Sequence, residues 1–215
     1  MKVIAVSVGR PRAMQWRGQS VQTSIVKTPI SSRVHAAGNN LEGDEQSDLS
    51  VHGGPEKAVY AYPVEHYDFW RRELPDAELP WGAFGENLTI EGLLEDAVCV
   101  GDRYRVGTTE LVVTQPRMPC YKLAVRFGRA DIVKRFLKSR RSGFYFAIAR
   151  EGELGAGDVI ERLAGNDQRL TIADVVSLYA TDSENQTLLE SASVHPLLPA
   201  AWREYFRKRL WTPDA

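Results

Sequence analysis

Short apolar runs separated by glycine, proline and serine dominate the first 165 residues of the chain. The first of them, Lys2–Val8, is rich in β-branched residues. Many short strands at close spacing are typical of a small β-barrel or sandwich. We therefore predict a mainly β body. Its other candidate strands lie at 23–26, 34–36, 88–90, 98–104 and 111–114.

Two helices are predicted inside this β-rich body. One begins near Pro63, a residue that suits a first helical turn, and ends before Pro75. The other begins near Ala130 and ends before Gly143. The body is therefore expected to combine a majority of strands with some helix.

The pattern becomes helical after the turn at 165–167. Thr171 is followed three residues later by Asp174, a spacing typical of a helix N-terminus. Two more short helical segments follow, at 185–191 and 199–210. We predict two domains, a β-rich domain at 1–165 and a C-terminal three-helix domain at 166–215.

The composition excludes several classes of protein. The chain has 215 residues, 43% of them hydrophobic, with 27 basic and 28 acidic side chains. This balance is neither that of a disordered chain nor that of a polycation that binds nucleic acid. No apolar run of about 18 residues, as a membrane-spanning helix needs, is present, and the N-terminus does not resemble a signal peptide. With only two cysteines, we expect a cytoplasmic protein.

Positive charge is concentrated in the segment 117–150, where Asp131 is the only acidic residue. Such an excess favours an anionic ligand or partner. A solvated helix face balanced by acids elsewhere is the alternative, and we prefer it for 134–141. The basic residues are Arg117, Lys122, Arg126, Arg129, Lys134, Arg135, Lys138, Arg140, Arg141 and Arg150.

The two cysteines have different surroundings. Cys120 follows an apolar strand in the segment TQPRMPCYKL, where two prolines stiffen the backbone and Arg117 and Lys122 flank the thiol. Positive neighbours favour the thiolate, which attacks electrophiles and binds soft metals. Cys99 lies in an apolar run and is predicted to be a small core residue. Residue types alone leave a structural role for Cys120 equally open.

Two polar loops are further candidates. His52-Gly53-Gly54 follows a cluster of acids and could belong to a metal site, but no second His or Cys lies nearby at a usual ligand spacing. A lone histidine is more often a hydrogen-bonded structural residue. Asn87 precedes a predicted strand and is either part of an ordinary turn or a binding group.

Three segments in this order resemble the MOSC domain family, the relatives of the C-terminal domain of molybdenum cofactor sulfurases. The resemblance covers about 24–163 and is strongest to the stand-alone bacterial YiiM-like branch, which also carries a three-helix C-terminal domain. The segments are GDEQSDLSVHGGPEKAVYAYPVEHYDFW, FGENLT and GDRYRVGTTELVVTQPRMPCYKL.

The resemblance implies a β-barrel-like fold that holds the molybdenum cofactor, a pterin dithiolene with a phosphate. It implies that Cys120 is the metal ligand and a catalytic residue, and that His52 is a second catalytic residue. Either His52 or Asn87 would orient the N–OH group of the substrate. The residues that match the family's cofactor pocket are Lys27, Gly53, Gly54, Asn87, Gln115, Arg117 and Lys122.

The family also implies a reaction, the reduction of N-hydroxylated compounds such as hydroxylaminopurines and hydroxylamines to amines, which is a detoxification. The sequence contains no recognisable flavin or nicotinamide site and no ferredoxin-type cysteine cluster, so a separate reductase is expected to supply electrons. The alternative is a sulfur carrier, in which Cys120 bears a persulfide for the assembly of the cofactor or of metal–sulfur clusters. A low thiol pKa would serve either role.

The last predicted helix carries an apolar stripe. Trp202, Tyr205, Phe206 and Leu210 recur at helical spacing, which is typical of packing against the same chain or against a dimer partner. A homodimer therefore remains open. No glycine-bearing helix-turn-helix signature is visible, so nucleic acid is not an expected partner. A membrane is not expected either, because no apolar run is long enough to cross one.

Overall fold

Strands make up most of the body in the computed structural model, which describes residues 1–47, 53–165, 168–180 and 185–210. In chain order they are β1 (Lys2–Val8), β2 (Arg12–Trp16), β3 (Gln19–Thr23), β4 (Thr28–Ile30), β5 (Val34–Ala37), β6 (Asn40–Leu41), β7 (Val59–Pro63), β8 (Leu88–Glu91), β9 (Arg103–Val106), β10 (Thr109–Pro116), β11 (Phe144–Arg150), β12 (Gly152–Leu154) and β13 (Ile160–Ala164).

Helices fall into two groups, one inside the body and one after it. The described α-helices are α1 (Tyr67–Glu73), α2 (Tyr121–Phe127), α3 (Ile132–Ser139), α4 (Ile172–Ala180), α5 (Gln186–Val194) and α6 (Ala200–Leu210). Short 3₁₀ turns at Pro55–Lys57 and Val64–His66 precede β7 and α1. None of the helices in the described ranges has the length and apolar character needed to cross a bilayer.

One eight-stranded sheet, in the order β13-β9-β10-β11-β7-β8-β1-β4, forms the body. Its neighbours are antiparallel except for the parallel pair β7 and β8. The end strand β13 meets β1, the strand next to the other end. The amide of Val3 donates to the carbonyl of Asp158 at 2.9 Å, and that of Ile160 donates to the carbonyl of Met1 at 3.0 Å. The sheet therefore closes on itself. A smaller sheet, β12-β5-β6, and the β2–β3 hairpin flank it.

Most of the sequence-based elements are confirmed. Strands lie at Lys2–Val8, 34–37, 88–91 and within 109–116, and the two body helices and three C-terminal helices are present. The predicted N-terminus of α4 is a reciprocal capping box. The Thr171 amide donates to the Asp174 carboxylate at 2.9 Å, and the Asp174 amide donates to the Thr171 hydroxyl at 3.0 Å.

Two predicted strands are wrong in part. The run 23–26 leaves the strand after Thr23, because the Thr23 hydroxyl accepts a hydrogen bond from the Ile25 amide and turns the chain. The run 98–104 is a turn up to Gly101, and only Arg103 and Tyr104 join β9. The amide of Val100 bonds to Leu170 near α4 instead of to a strand neighbour. Helix α2 was not predicted, because its seven residues follow a proline-rich turn.

The barrel and the C-terminal helices bury side chains in one continuous apolar cluster. Val113 and Phe146 contribute to it from the sheet, and Val175, Leu189 and Phe206 contribute from the three C-terminal helices. A second, aromatic cluster lies against α1–α3 and includes Tyr62, Trp70, Phe84 and Phe136. The helices are thus packed onto the sheet, and the boundary at 165/166 stays a prediction.

Candidate functional site

An open cleft of about 650 Å³, including its mouth, lies beside the loop that follows β10. We call it the cationic cleft. It brings together five of the residues singled out from the sequence, and the segments that carry them are far apart in the chain. They are Lys27, Asn87, Arg117, Cys120 and Lys122.

Cys120 lies at the end of the loop between β10 and α2. Its backbone is extended, with φ −120° and ψ 173°, and the residue occupies the N-cap position of α2. The side chain is partly exposed, as expected for a proline-stiffened loop. The thiol is thus accessible from the cleft, and little packing depends on it.

Arg117 is a buried cation beside this cysteine. Its side chain is 5% exposed, and the guanidinium lies over the rings of Tyr60 and Phe136, with centroids 5.4 and 5.1 Å from Cζ. No carboxylate in the described ranges lies within ion-pair distance, and Nη1 has no hydrogen-bond partner there. Burial disfavours the charged form of Arg117, and attraction to Tyr60, Tyr145 and Cys120 would oppose this only if those groups were ionised.

The neighbouring tyrosines do not neutralise this charge. Tyr60 and Tyr145 are register partners on β7 and β11. Burial raises the pKa of Tyr60 and that of Tyr145, so both hydroxyls stay protonated. A buried cation without an acidic partner is costly, and an anion in the cleft would offset that cost.

Lys122 is the second buried cation of the cleft. It is 7% exposed, lies in the first turn of α2, and donates from Nζ to the hydroxyl of Ser47 at 3.2 Å. Within the described ranges it forms no ion pair. Ser24, also in the cleft, has a buried hydroxyl with no hydrogen-bond partner in those ranges. The cationic cleft therefore contains both a buried positive charge and a buried hydroxyl that has no hydrogen-bond partner in the described ranges.

Lys27 differs from these cations because an acid compensates it. Its Nζ lies 2.5 and 2.7 Å from the two carboxylate oxygens of Asp44, which also accept hydrogen bonds from the Asn87 amide at 2.8 Å and the Gly9 backbone at 2.8 Å. Burial lowers the pKa of Lys27 despite the attraction of Asp44. This network joins four loop segments, and three of its residues, Lys27, Asp44 and Asn87, line one wall of the cleft.

The glycine-rich loop contributes to the cleft through the 3₁₀ turn that follows it. Gly54 has φ +98°, a conformation that favours glycine, and starts the 3₁₀ turn that carries Lys57 to the edge of the cleft. Gly53 and Gly54 do not line the cleft themselves. His52 lies outside the described residues. The acids before it form no cluster with His or Cys able to hold a metal, as far as the described ranges show.

Gln115 lies in a second cleft on the side of the C-terminal helices. Its Nε2 donates to the carbonyl of Glu56 at 3.3 Å, and its Oε1 accepts from the indole of Trp202 at 2.9 Å. The side chain is 5% exposed. The Oε1 end of the amide thus ties α6 to the barrel, and the Nε2 end holds the 3₁₀ turn at Pro55–Lys57.

Replacing Gln115 with leucine should lower the free energy of unfolding by about 1–3 kcal/mol, because the buried indole N–H of Trp202 loses its acceptor. Urea unfolding measures this. In a Trp202→Phe background, which lacks that donor, the same change should cost clearly less. An unchanged unfolding midpoint combined with lost cofactor would instead assign Gln115 to the cofactor.

Several residues of the cleft were not singled out as site residues from the sequence. Tyr60 lies in β7, whose five residues are all buried, so no alternation marks its site-facing position. Tyr145 pairs with it from β11, a strand far along the chain. Asp44 appeared only as one acid among several, and its partner Lys27 is distant in sequence. The charged pair was therefore hidden until the fold placed both residues at one wall.

A family model and two bacterial relatives match this chain. The model of the MOSC domain matches residues 48–161. "Uncharacterized protein YflK" of Bacillus subtilis is 38% identical over 207 residues, 96% of this chain and 93% of that protein. "Protein YiiM" of Escherichia coli is 34% identical over 193 residues, 87% and 84% of the two chains.

A fungal relative and a solved structure add to this. A protein named "Reductase" from Gibberella moniliformis is 31% identical over 183 residues, 84% of this chain but only 32% of that protein. The crystal structure of YiiM from Geobacillus stearothermophilus superposes with a TM-score of 0.80 at 34% identity, covering 97% of this chain and 98% of the other. The chain belongs to the MOSC domain family, in its YiiM-like branch.

Proposed function

We propose that this protein binds the molybdenum cofactor in the cationic cleft and reduces N-hydroxylated compounds to amines, as a cytoplasmic detoxification. The observation that carries the proposal is the buried Arg117, which has no acidic partner in the described ranges and lies beside the partly exposed thiol of Cys120. An anionic, sulfur-rich group would satisfy both features at once.

The residues of the cleft fit that group. Arg117 Nη1 and the Ser24 hydroxyl are buried polar atoms without partners in the described ranges, and Lys122 adds a second buried positive charge. Charge-assisted hydrogen bonds from such donors are what a phosphate and a dithiolene require. Cys120 would hold the metal, because a thiolate suits a soft metal centre. Lys27 would form the wall through its pair with Asp44 rather than offer free charge.

The overall reaction consumes two electrons and two protons per N–O bond. R–NHOH takes up both and yields R–NH₂ and water, so oxygen leaves as water and nitrogen is reduced. When bound, the cofactor supplies the two-electron redox centre. The chain's own residues fix the cofactor and give the substrate access to the Cys120 side of the cleft.

The electrons are proposed to come from a separate protein. The name "Reductase" of the fungal relative supports a redox role, and the region homologous to this chain makes up 32% of that protein. That protein therefore joins a region homologous to this chain to a much longer remainder. We propose that this chain meets an equivalent electron donor as an independent partner.

Expression in two hosts, one that makes the molybdenum cofactor and one that cannot, tests the proposal. Protein from the first should contain molybdenum and pterin in proportion to chain, and should reduce a hydroxylaminopurine with chemically reduced viologen as donor. Protein from the second should do neither. A cofactor-loaded protein that leaves hydroxylaminopurine and hydroxylamine unchanged would refute the reductase, and an added sulfur atom on Cys120 without metal would support the sulfur carrier.

A further inference from the structure

A second cleft opens between the cysteine loop and the C-terminal helices. Its volume is about 1020 Å³, a figure that includes its open mouth. On one side lie Pro116 and Pro119 of the loop region, and on the other lie Tyr179 at the end of α4 and Trp202 and Tyr205 of α6. We call it the aromatic cleft.

Three aromatic rings form its helical wall. The Tyr179 ring lies 5.6 Å from that of Trp202 and 5.4 Å from that of Tyr205. Trp202 is held by Gln115 and nearly buried, whereas Tyr179 and Tyr205 are 38% and 37% exposed. Aromatic rings left half exposed in a cleft offer flat faces for a planar molecule to stack on.

The aromatic cleft and the cationic cleft share one border. Lys57, Met118, Cys120 and Tyr145 line both of them. The two spaces differ in chemistry, since buried cations mark the first and aromatic rings mark the second. A molecule in the aromatic cleft would therefore reach Cys120 from the side of the helices, while an anionic group occupies the other side.

We propose that the C-terminal helices form the substrate wall, and that Tyr205 and Tyr179 select N-hydroxylated substrates with a planar heteroaromatic ring over small aliphatic ones. The identity of the substrates rests on the proposed reductase function, whereas the position of the aromatic wall rests on the structure alone. The heteroaromatic ring of the substrate stacks on the two tyrosines. Glu56 and Lys57 also line the cleft, where they can hydrogen-bond to the polar edge of that ring. Hydroxylamine itself is too small to reach these groups together.

Binding to the cofactor-free protein tests the wall without catalysis. The probe is 2-aminopurine, whose fluorescence is quenched when it stacks on aromatic rings. Tyr205→Leu, which keeps apolar bulk on α6 but removes the π face, should weaken binding by about five- to tenfold, in line with the loss of one stacking interaction. Tyr205→Phe should bind as the wild type does. Tyr121→Leu is the matched control, because Tyr121 is 54% exposed beside Cys120 but lines neither cleft.

The cofactor-loaded enzyme supplies the second readout. Tyr205→Leu should raise KM for a hydroxylaminopurine by the same factor and leave the kinetics with hydroxylamine unchanged. Equal purine binding by Tyr205→Leu and wild type, or an equal loss in Tyr121→Leu, would overturn the aromatic cleft as the substrate site. If the cofactor-loaded wild type reduces neither compound while Tyr205→Leu still loses purine binding, the reductase function is refuted and the aromatic cleft is retained as a binding site.

Discussion

Replacing Cys120 with serine should remove bound molybdenum and turnover, and should leave the unfolding transition of the cofactor-free chain where it was. A serine hydroxyl is a hard, protonated ligand at neutral pH and does not replace a thiolate on a soft metal. The thiol is partly exposed at the N-cap of a short helix, so little packing is lost with it. Metal analysis of protein from a cofactor-producing host measures the first effect. Thermal melts of wild type and variant from a host that cannot make the cofactor measure the second, because a bound cofactor would itself stabilise the wild type.

Cys99→Ser is the matched control, and it should behave in the opposite way. Cys99 is 1% exposed, and burial together with the Asp102 carboxylate raises the pKa of its thiol. A hydroxyl at this position should cost about 1–3 kcal/mol of stability while molybdenum is retained. Full metal and turnover in Cys120→Ser would remove the basis of the enzyme proposal.

Replacing Arg117 with methionine should stabilise the cofactor-free protein and impair its cofactor binding. The guanidinium is buried without an acid in the described ranges, so an apolar side chain of similar length removes a desolvation cost. The cation–π attraction to the rings of Tyr60 and Phe136 disappears with the charge, so we expect a net gain of only about 1 kcal/mol in the free energy of unfolding. Cofactor affinity should fall about 10- to 100-fold, as for one charge-assisted bond.

Arg71→Met provides the comparison for this variant. The Arg71 guanidinium also lies over two rings, those of Tyr67 and Trp81, at 5.8 Å each. Its side chain is 51% exposed and paired with Asp68 at 2.7 Å. Urea unfolding should show no gain in Arg71→Met, and molybdenum retained on dialysis should match wild type. A clear loss of stability in Arg117→Met would mean that its charge is already compensated in the empty protein.

Local patterns predicted a large part of this fold. The Thr171 and Asp174 capping box needs only three residues of spacing, and it forms with the expected reciprocal bonds. Cys120, Arg117 and Lys122 were also grouped correctly from the sequence, because they lie within six positions of one another and line one cleft. Short-range chemistry that is complete within one segment is visible in the sequence.

Contacts between residues far apart in the chain could not be predicted from such local patterns. Gln115 and Trp202 are 87 residues apart, and only the packing of α6 on the barrel joins them. The apolar run around Cys99 resembles a strand, but its one bridge is to Thr171 at the start of α4. Tertiary hydrogen bonds decided both cases, and local propensity carries no information about them.

The mass of the intact protein under native conditions tests the central claim most directly. For protein from a cofactor-producing host, the wild type and Cys99→Ser should carry the added mass of the molybdenum cofactor and lose it on denaturation. Cys120→Ser should show the mass of the bare chain. The opposite result, a cofactor mass that persists in Cys120→Ser or a wild-type chain that carries one sulfur atom and no cofactor, would contradict the assignment of Cys120 as the metal ligand.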